Sequence, residues 1–246
     1  MAHIPRIFTE SDLSTEALII LPDAQSKYLI RVMRLTTGAA VRVFNGRDGE
    51  WHCLLQVSGK SAELRAIRQT RAQYTPPDLT LLFAPLKKAR TDYVVEKASE
   101  LGVCRIQPVI TEFTQTSRVR TEKLQAVAVE AAEQTERLDV PKVSDVAQLS
   151  SVLSQWPHDC PLIYCDEAGD PTVLSGMETG QAGGILVGPE GGFSMRERQM
   201  LHSLDFVMPI TLGPRILRAE TAVVAALTLW QSTLGDWHER PYVPET

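Results

Sequence analysis

Ile185-Leu186-Val187-Gly188-Pro189-Glu190-Gly191-Gly192-Phe193-Ser194 is the stretch on which the reading of this chain turns. A short apolar run stops at a glycine-rich turn. Ser194, with Glu197 three residues on, has the spacing of a capping box, so a helix follows. The pattern returns in Leu212-Gly213-Pro214-Arg215-Ile216-Leu217-Arg218-Ala219-Glu220-Thr221-Ala222. Glycine removes the Cβ and admits positive φ. Two such turns close in sequence therefore predict two loops that present bare backbone to one small ligand. Neither is a phosphate loop, because the Lys-Ser/Thr ending is missing. No Gly-x-Gly-x-x-Gly follows the first strand of this part of the chain, which disfavours an ordinary dinucleotide fold.

Outward from these loops, strands and helices alternate from Leu79 on. Strands are predicted at 79–84, 106–110, 162–165, 184–187 and 206–212. Helices are predicted at 90–102, 120–138, from Ser194 and at 219–234. Gly102 suits a helix C-terminal cap. Alternating units of this kind imply a mostly parallel sheet covered on both faces. The N-terminal part reads differently. Segments 39–44, 51–57 and 62–67 have strand character, the first ending at the turn signal Asn45-Gly46, with one helix at 23–35. Short strands around a small core predict a compact barrel. Thr75-Pro76-Pro77-Asp78, within 69–78, reads as a linker. The expected division is a β-barrel over 1–72 and an α/β domain over 73–246.

The chain has 246 residues, 43% hydrophobic and 22% charged, as a globular protein of one large or two ordinary domains would. The N-terminus has no signal-peptide core, and apolar runs such as 222–230 are short of a membrane span. A soluble, cytoplasmic protein is expected. Cys53, Cys104, Cys160 and Cys165 form no Cys-x-x-Cys pair, so buried thiols are expected rather than a metal site. The net charge of −5 is unevenly spread. Residues 1–90 carry 13 Lys and Arg against 8 Asp and Glu, and residues 91–246 carry 12 against 22. Such asymmetry hints at a basic binding face.

That face is expected to include Arg6, Lys27, Arg31, Arg34 and Arg47. Arg31 and Arg34 are three apart on the predicted helix and so would share a side of it. Lys87, Lys88 and Arg90 follow the first strand of the α/β part, at the carboxyl edge where such sheets bind ligands. Arg215 and Arg218 flank the second loop beside Glu220. The apolar Ile216-Leu217 between them points to a loop packed onto something.

Several of these segments together resemble a known family: Arg31-Val32-Met33-Arg34-Leu35, Glu96-Lys97-Ala98-Ser99-Glu100-Leu101-Gly102-Val103, Glu130-Ala131-Ala132-Glu133-Gln134-Thr135-Glu136-Arg137, and the two glycine loops. The chain resembles, over essentially its whole length, the RsmE family, the 16S rRNA uridine-N3 methyltransferases of the SPOUT superfamily. Two departures are the Lys87–Asp92 region, where relatives often have a Lys-Gly-like turn, and Ala219, where many have Thr.

The resemblance implies S-adenosylmethionine as methyl donor, a C-terminal trefoil knot as its site, a PUA-like N-terminal barrel that holds rRNA, and a homodimer. The implied target is N3 of uridine 1498 (usual bacterial numbering) in the small ribosomal subunit. The residues expected at the cofactor are Leu186, Val187, Gly188, Pro189, Glu190, Gly191, Gly192, Leu212, Gly213, Ile216, Leu217, Arg218, Thr221 and Ala222. Backbone groups of Leu186, Val187, Gly188, Leu212 and Leu217 suit the edges of adenine, and Gly191 and Gly213 leave room for the methionine part. Uridine N3 becomes a nucleophile only when its proton leaves, which puts negative charge on O2 and O4. A guanidinium stabilises such an anion by two parallel hydrogen bonds. Arg218 is the first candidate for this role and Arg6 the second. Glu190 or Glu220 is the expected proton acceptor, or else the holder of an arginine. No metal is required. The rival readings are a SPOUT enzyme acting on tRNA or another base, and a non-enzymatic ribosome-assembly factor.

Overall fold

The computed structural model describes residues 4–116, 118–166, 180 and 182–242. The chain divides into two units. One comprises residues up to Thr75 together with Ala132–Val140; the other comprises Pro76–Ala131 and Pro141–Tyr242. The expected cut after 72 falls just before Thr75, but 132–140 joins the N-terminal unit, which a linear division does not foresee.

In the first unit a five-stranded sheet has the order β1-β3-β4-β5-β2. Its strands are β1 (Arg6–Phe8), β2 (Leu18–Ile20), β3 (Ala40–Phe44), β4 (Glu50–Ser58) and β5 (Ser61–Arg71). β3, β4 and β5 form an antiparallel meander, β2 pairs antiparallel with β5, and β1 runs parallel to β3. Alternation does the sorting: Val41 and Val43, Cys53 and Leu55, Ala62, Leu64 and Ala66 all point into one core, where Ile19 and Leu29 join them. β5 extends to Arg71, so the expected linker begins later than position 69.

The predicted helix over 23–35 is shorter and changes form. α1 spans Asp23–Lys27 and continues as a π-helical turn, Tyr28–Val32. Arg34 then takes φ +55, a left-handed exit that ends helices.

The second unit carries parallel strands in the order β12-β10-β11-β6-β7-β8. They are β6 (Leu79–Phe83), β7 (Arg105–Ile110), β8 (Lys142–Val143), β10 (Leu162–Cys165), β11 (Gly183–Val187) and β12 (Val207–Ile210), with β9 (Ala147–Gln148) pairing beside β7. Residues of both parities are buried, Leu81 with Leu82 and Ile185 with Leu186, so both faces are covered. α4 (Leu149–Ser154) and α5 (Met195–His202) belong to the core that includes Leu82, Tyr164 and Leu186. α2 (Lys88–Glu100) packs against α6 (Ala219–Thr233), which also meets β11 and buries Trp230. α3 (Thr121–Gln134) is shorter than the predicted 120–138, and Glu136 just beyond it has φ +62. Gly102 follows the C-terminus of α2 with φ +82, as its cap role requires.

Candidate active site

In the strand order, β10 lies between β11 and β12. The two glycine loops therefore leave strands on either side of β10, and all three strands end at one edge. A cleft of about 290 Å³ lies there, outside the carboxyl ends of parallel strands, where α/β folds bind ligands. β10 contributes Cys165 and Asp166, the latter anchored by its backbone N–H to Ile210 O at 2.8 Å. β11 contributes Val187 and then Gly188, Pro189, Glu190, Gly192 and Phe193, in a turn closed by Gly192 N–H donating to Pro189 O. β12 is followed by irregular backbone from Thr211 until Arg218, which is the N-cap residue of α6. Backbone groups of this loop are not consumed by a strand or helix ladder.

The walls are mainly apolar, with Val187, Phe193, Leu212, Leu217 and Ala222 among them, and the charged lining residues are Asp166, Glu190, Arg198, Arg215 and Arg218. Two glycines have physical reasons to be there. A Cβ on Gly188 would lie 2.6 Å from the ring of Phe193, and Gly213 has φ +97 with open space where a Cβ would go. This combination of bare backbone, a flat apolar wall and a few charges fits a ligand with an aromatic ring and a zwitterionic tail.

Most expected cofactor residues line this cleft: Val187, Gly188, Pro189, Glu190 and Gly192 from the first loop, and Leu212, Gly213, Ile216, Leu217, Arg218 and Ala222 from the second. Three lie elsewhere. Leu186 is fully buried in the sheet and Thr221 is exposed. Gly191 is not among the lining residues, and a Cβ on it would face Phe113 at 3.4 Å. Sequence reasoning missed Asp166 and Arg198. The Asp166 carboxylate is 1% exposed, accepts from Arg198 Nη1 at 2.7 Å and lies 3.1 Å from His202 Nε2. One signal was present: Asp166 directly follows an apolar strand, at the edge where ligands bind. Nothing in the sequence marked Arg198. Burial pushes the Cys165 thiol up to about 12, so it stays protonated and is no nucleophile at neutral pH.

Arg218 is exposed, and its side chain has no hydrogen bond or ion pair among the described residues. It is therefore available to a ligand. Arg90 is differently employed. Its Nη1 meets Glu190 at 2.6 Å and its Nε lies 3.6 Å from Glu220. The two expected proton acceptors thus share one arginine, which was expected at RNA. Glu190 lines the cleft, whereas Glu220 does not, and Glu220 Oε2 is buried with no hydrogen-bond partner among the described residues.

In the first unit, Lys27, Arg31 and Arg34 are exposed. Because Arg34 lies past the end of the helix, it and Arg31 do not share a helical face. Arg47 is held by Asp12 at 2.7 Å and by Glu10 O at 3.1 Å. Lys87 and Lys88 are exposed at the start of α2 in the second unit.

Arg6 requires correction as a candidate for touching a base. Its side chain is 2% exposed, 2.7 Å from Glu50, and stacked 3.8 Å over the Phe44 ring. It also donates to the carbonyls of Ala132, Glu133 and Arg137. A guanidinium with its donors so committed is a structural cation.

No helix among the described residues is long and apolar enough to cross a membrane, and no group of potential metal ligands occurs among them. None of the four cysteines is in a disulfide, and Cys53 is fully buried.

Comparison with known proteins places this architecture. Residues 73–231 match the family model described as an RNA methyltransferase domain, and residues 21–67 match one described as an RNA methyltransferase PUA domain. Ribosomal RNA small subunit methyltransferase E of Rickettsia conorii is 33% identical over 90% of this chain and 93% of its own length. Its namesake in Bacillus subtilis is 29% identical over 82% of this chain and 84% of its own. The crystal structure of the Neisseria gonorrhoeae enzyme of that name, bound to S-adenosylmethionine, superposes with a TM-score of 0.86 at 30% identity, covering 96% of this chain and all of the other. The fold is that of an RNA methyltransferase. The chain belongs to the ribosomal RNA small subunit methyltransferase E family.

Proposed function

We propose that the protein transfers a methyl group from S-adenosylmethionine to N3 of uridine 1498 in 16S rRNA of the small ribosomal subunit. The observation that carries this reading is the cleft at the ends of β10, β11 and β12, with an uncommitted arginine at its mouth. Backbone groups around Val187, Gly188, Leu212 and Leu217 hold the adenine, and Asp166 with Arg198 face the charged methionine end. Bound there, S-adenosylmethionine supplies a methyl group made electrophilic by its sulfonium. Glu190, which lines the cleft, takes the N3 proton. Arg90 holds that carboxylate in place, and Glu220 fixes Arg90 from the other side. Arg218 donates to one of the flanking oxygens, O2 or O4, as it gains negative charge, which lowers the barrier only as that charge develops and leaves N3 open to the methyl group. The base reaches the cleft unstacked.

Arg6 has no part in this chemistry; it holds the first unit together. Lys27, Arg31, Arg34 and Arg47 of that unit, with Lys87 and Lys88 of the other, attract the rRNA backbone. The resemblance carries a trefoil knot through the two loops, a homodimer, and a place in ribosome biogenesis in the cytoplasm. Ile216, 88% exposed at the cleft, is a side chain that a second subunit would cover.

The test is labelled methyl transfer to small ribosomal subunits lacking the modification, with tRNA alongside. Label in the small-subunit RNA alone is expected. Label in tRNA would transfer the reading to another SPOUT reaction, and cofactor binding without any transfer would overturn it.

A further inference from the structure

A second concavity opens at the same sheet edge, between the loops that follow the neighbouring strands β6 and β7. It measures about 170 Å³. Its polar walls are dominated by cations: Lys88 from the first turn of α2, Arg118 and Arg120 from the segment before α3, and Lys123 from the first turn of α3. One carboxylate, Asp92, lies among them and is already paired with Lys123. Lys88, Arg118 and Arg120 have no ion pair among the described residues, and Arg118 and Arg120 are exposed. Three unneutralised cations converging on one hollow repel each other unless an anion sits between them. The floor is fixed: Thr91 Oγ1 both donates to Leu86 O and accepts from Leu86 N–H, each at 2.9 Å, which locks the turn into α2.

This hollow is tied to the cleft through α2. Arg90 reaches Glu190 of the cleft, while Lys88 and Thr91, on the same helical turn, face the second hollow. A group bound here therefore sits beside the reacting base but outside the cleft.

We propose that this hollow binds a backbone phosphate of the RNA substrate, with Arg118 and Arg120 as its principal ligands and Lys88 and Lys123 completing the charge. The inference rests on the proposed rRNA reading and deepens it. Guanidinium groups match phosphate oxygens bidentately, and a phosphate contact fixes register without reading sequence. The site therefore positions the strand so that the target uridine falls at Arg218. Of its four cations, sequence alone pointed to Lys88.

The test is the double variant Arg118→Ala, Arg120→Ala, assayed for methyl transfer to small ribosomal subunits over a range of salt. KM for the subunit rises about tenfold or more, and the salt dependence of binding loses about one to two charges of slope. Calorimetric affinity for S-adenosylmethionine and the melting temperature stay as in the wild type. The variant Arg118→Lys, Arg120→Lys recovers the salt slope and part of the KM. An unchanged KM and slope in the alanine variant would overturn the site while leaving the rRNA reading intact. Inorganic phosphate bound in a variant-sensitive way, with RNA binding unaltered, would also overturn it in favour of a free anion. Failure of the wild type to bind or methylate small subunits would overturn the underlying reading, and the proposal with it.

Discussion

Arg218 and Arg6 show how little an arginine's identity says before its surroundings are known. Both are single arginines beside apolar residues in the sequence. In the structure one caps a helix at a cleft with its guanidinium uncommitted, and the other is enclosed by Glu50, Phe44 and three carbonyls. Burial lowers the Arg6 pKa and Glu50 works in the opposite direction, so a cation retained there needs all of its partners. Arg218→Ala is predicted to lower kcat by about a hundredfold to a thousandfold, while calorimetric affinity for S-adenosylmethionine changes little. Comparable losses in both would make Arg218 a cofactor-binding residue. Arg6→Ala removes the closest charge partner of Glu50, which is fully buried and keeps only Arg42 at 3.6 Å and the Thr70 hydroxyl at 3.0 Å. Its predicted effect is a loss of about 3–5 kcal/mol of stability, measured by urea unfolding. A stable variant with a collapsed kcat would restore Arg6 to the chemistry. The place of Arg218 at the cleft was legible because it ends the second glycine loop. That of Arg6 was not, because the partners at Glu50 and 132–137 are far along the chain.

Among the elements, the glycine loops were legible because their signals are local: apolar run, glycine turn, cap. The capping box is present as read, with Glu197 N–H donating to Ser194 Oγ at 3.2 Å and Ser194 N–H to Glu197 Oε2 at 2.9 Å. Which glycines face the ligand was not legible, because that depends on the handedness of the turn. Gly191 is beside Phe113, whereas Gly188 is packed under Phe193. Gly188→Ala is accordingly predicted to push the Phe193 ring into the cleft and weaken S-adenosylmethionine binding at least tenfold by calorimetry, with unchanged affinity contradicting this. The contribution of β10 was also hidden. Strand order is a tertiary fact, and only that order brings Asp166 between the two loops. The helix at 23–35 misled because apolar spacing continues smoothly through a π-helical turn, while the left-handed φ at Arg34 leaves no mark in composition.

For the whole molecule, the alternation of strands and helices from Leu79 set the fold class, whereas much of the positive excess before residue 90 is met inside the chain, by Glu50 and Glu136 among others. What pattern could not supply was the return of 132–140 to the N-terminal unit. There Glu136 meets Arg42 at 2.6 Å and lies 3.7 Å from both Arg6 and Arg71. Burial alone would raise the Glu136 pKa, but the hydrogen bonds and charge of Arg42, with Arg6 and Arg71, lower it below the usual 4.5. A depressed carboxylate contributes stability that is complete above its unfolded pKa and disappears as pH falls through its folded value. The first unit is thus predicted to lose stability below about pH 4.5. Glu136→Gln should be less stable than the wild type at neutral pH but nearly equal to it in strong acid. Parallel stability curves for the two at all pH values would contradict the assignment.

The proposed chemistry turns on uridine N3 as the atom that receives the methyl group. The most direct measurement is digestion of small-subunit RNA after reaction with labelled S-adenosylmethionine, with the nucleoside identified by mass spectrometry and its position mapped by the fragment that carries it. The expected product is 3-methyluridine at position 1498. A methylated ribose, another methylated base, or 3-methyluridine at a different position would contradict it.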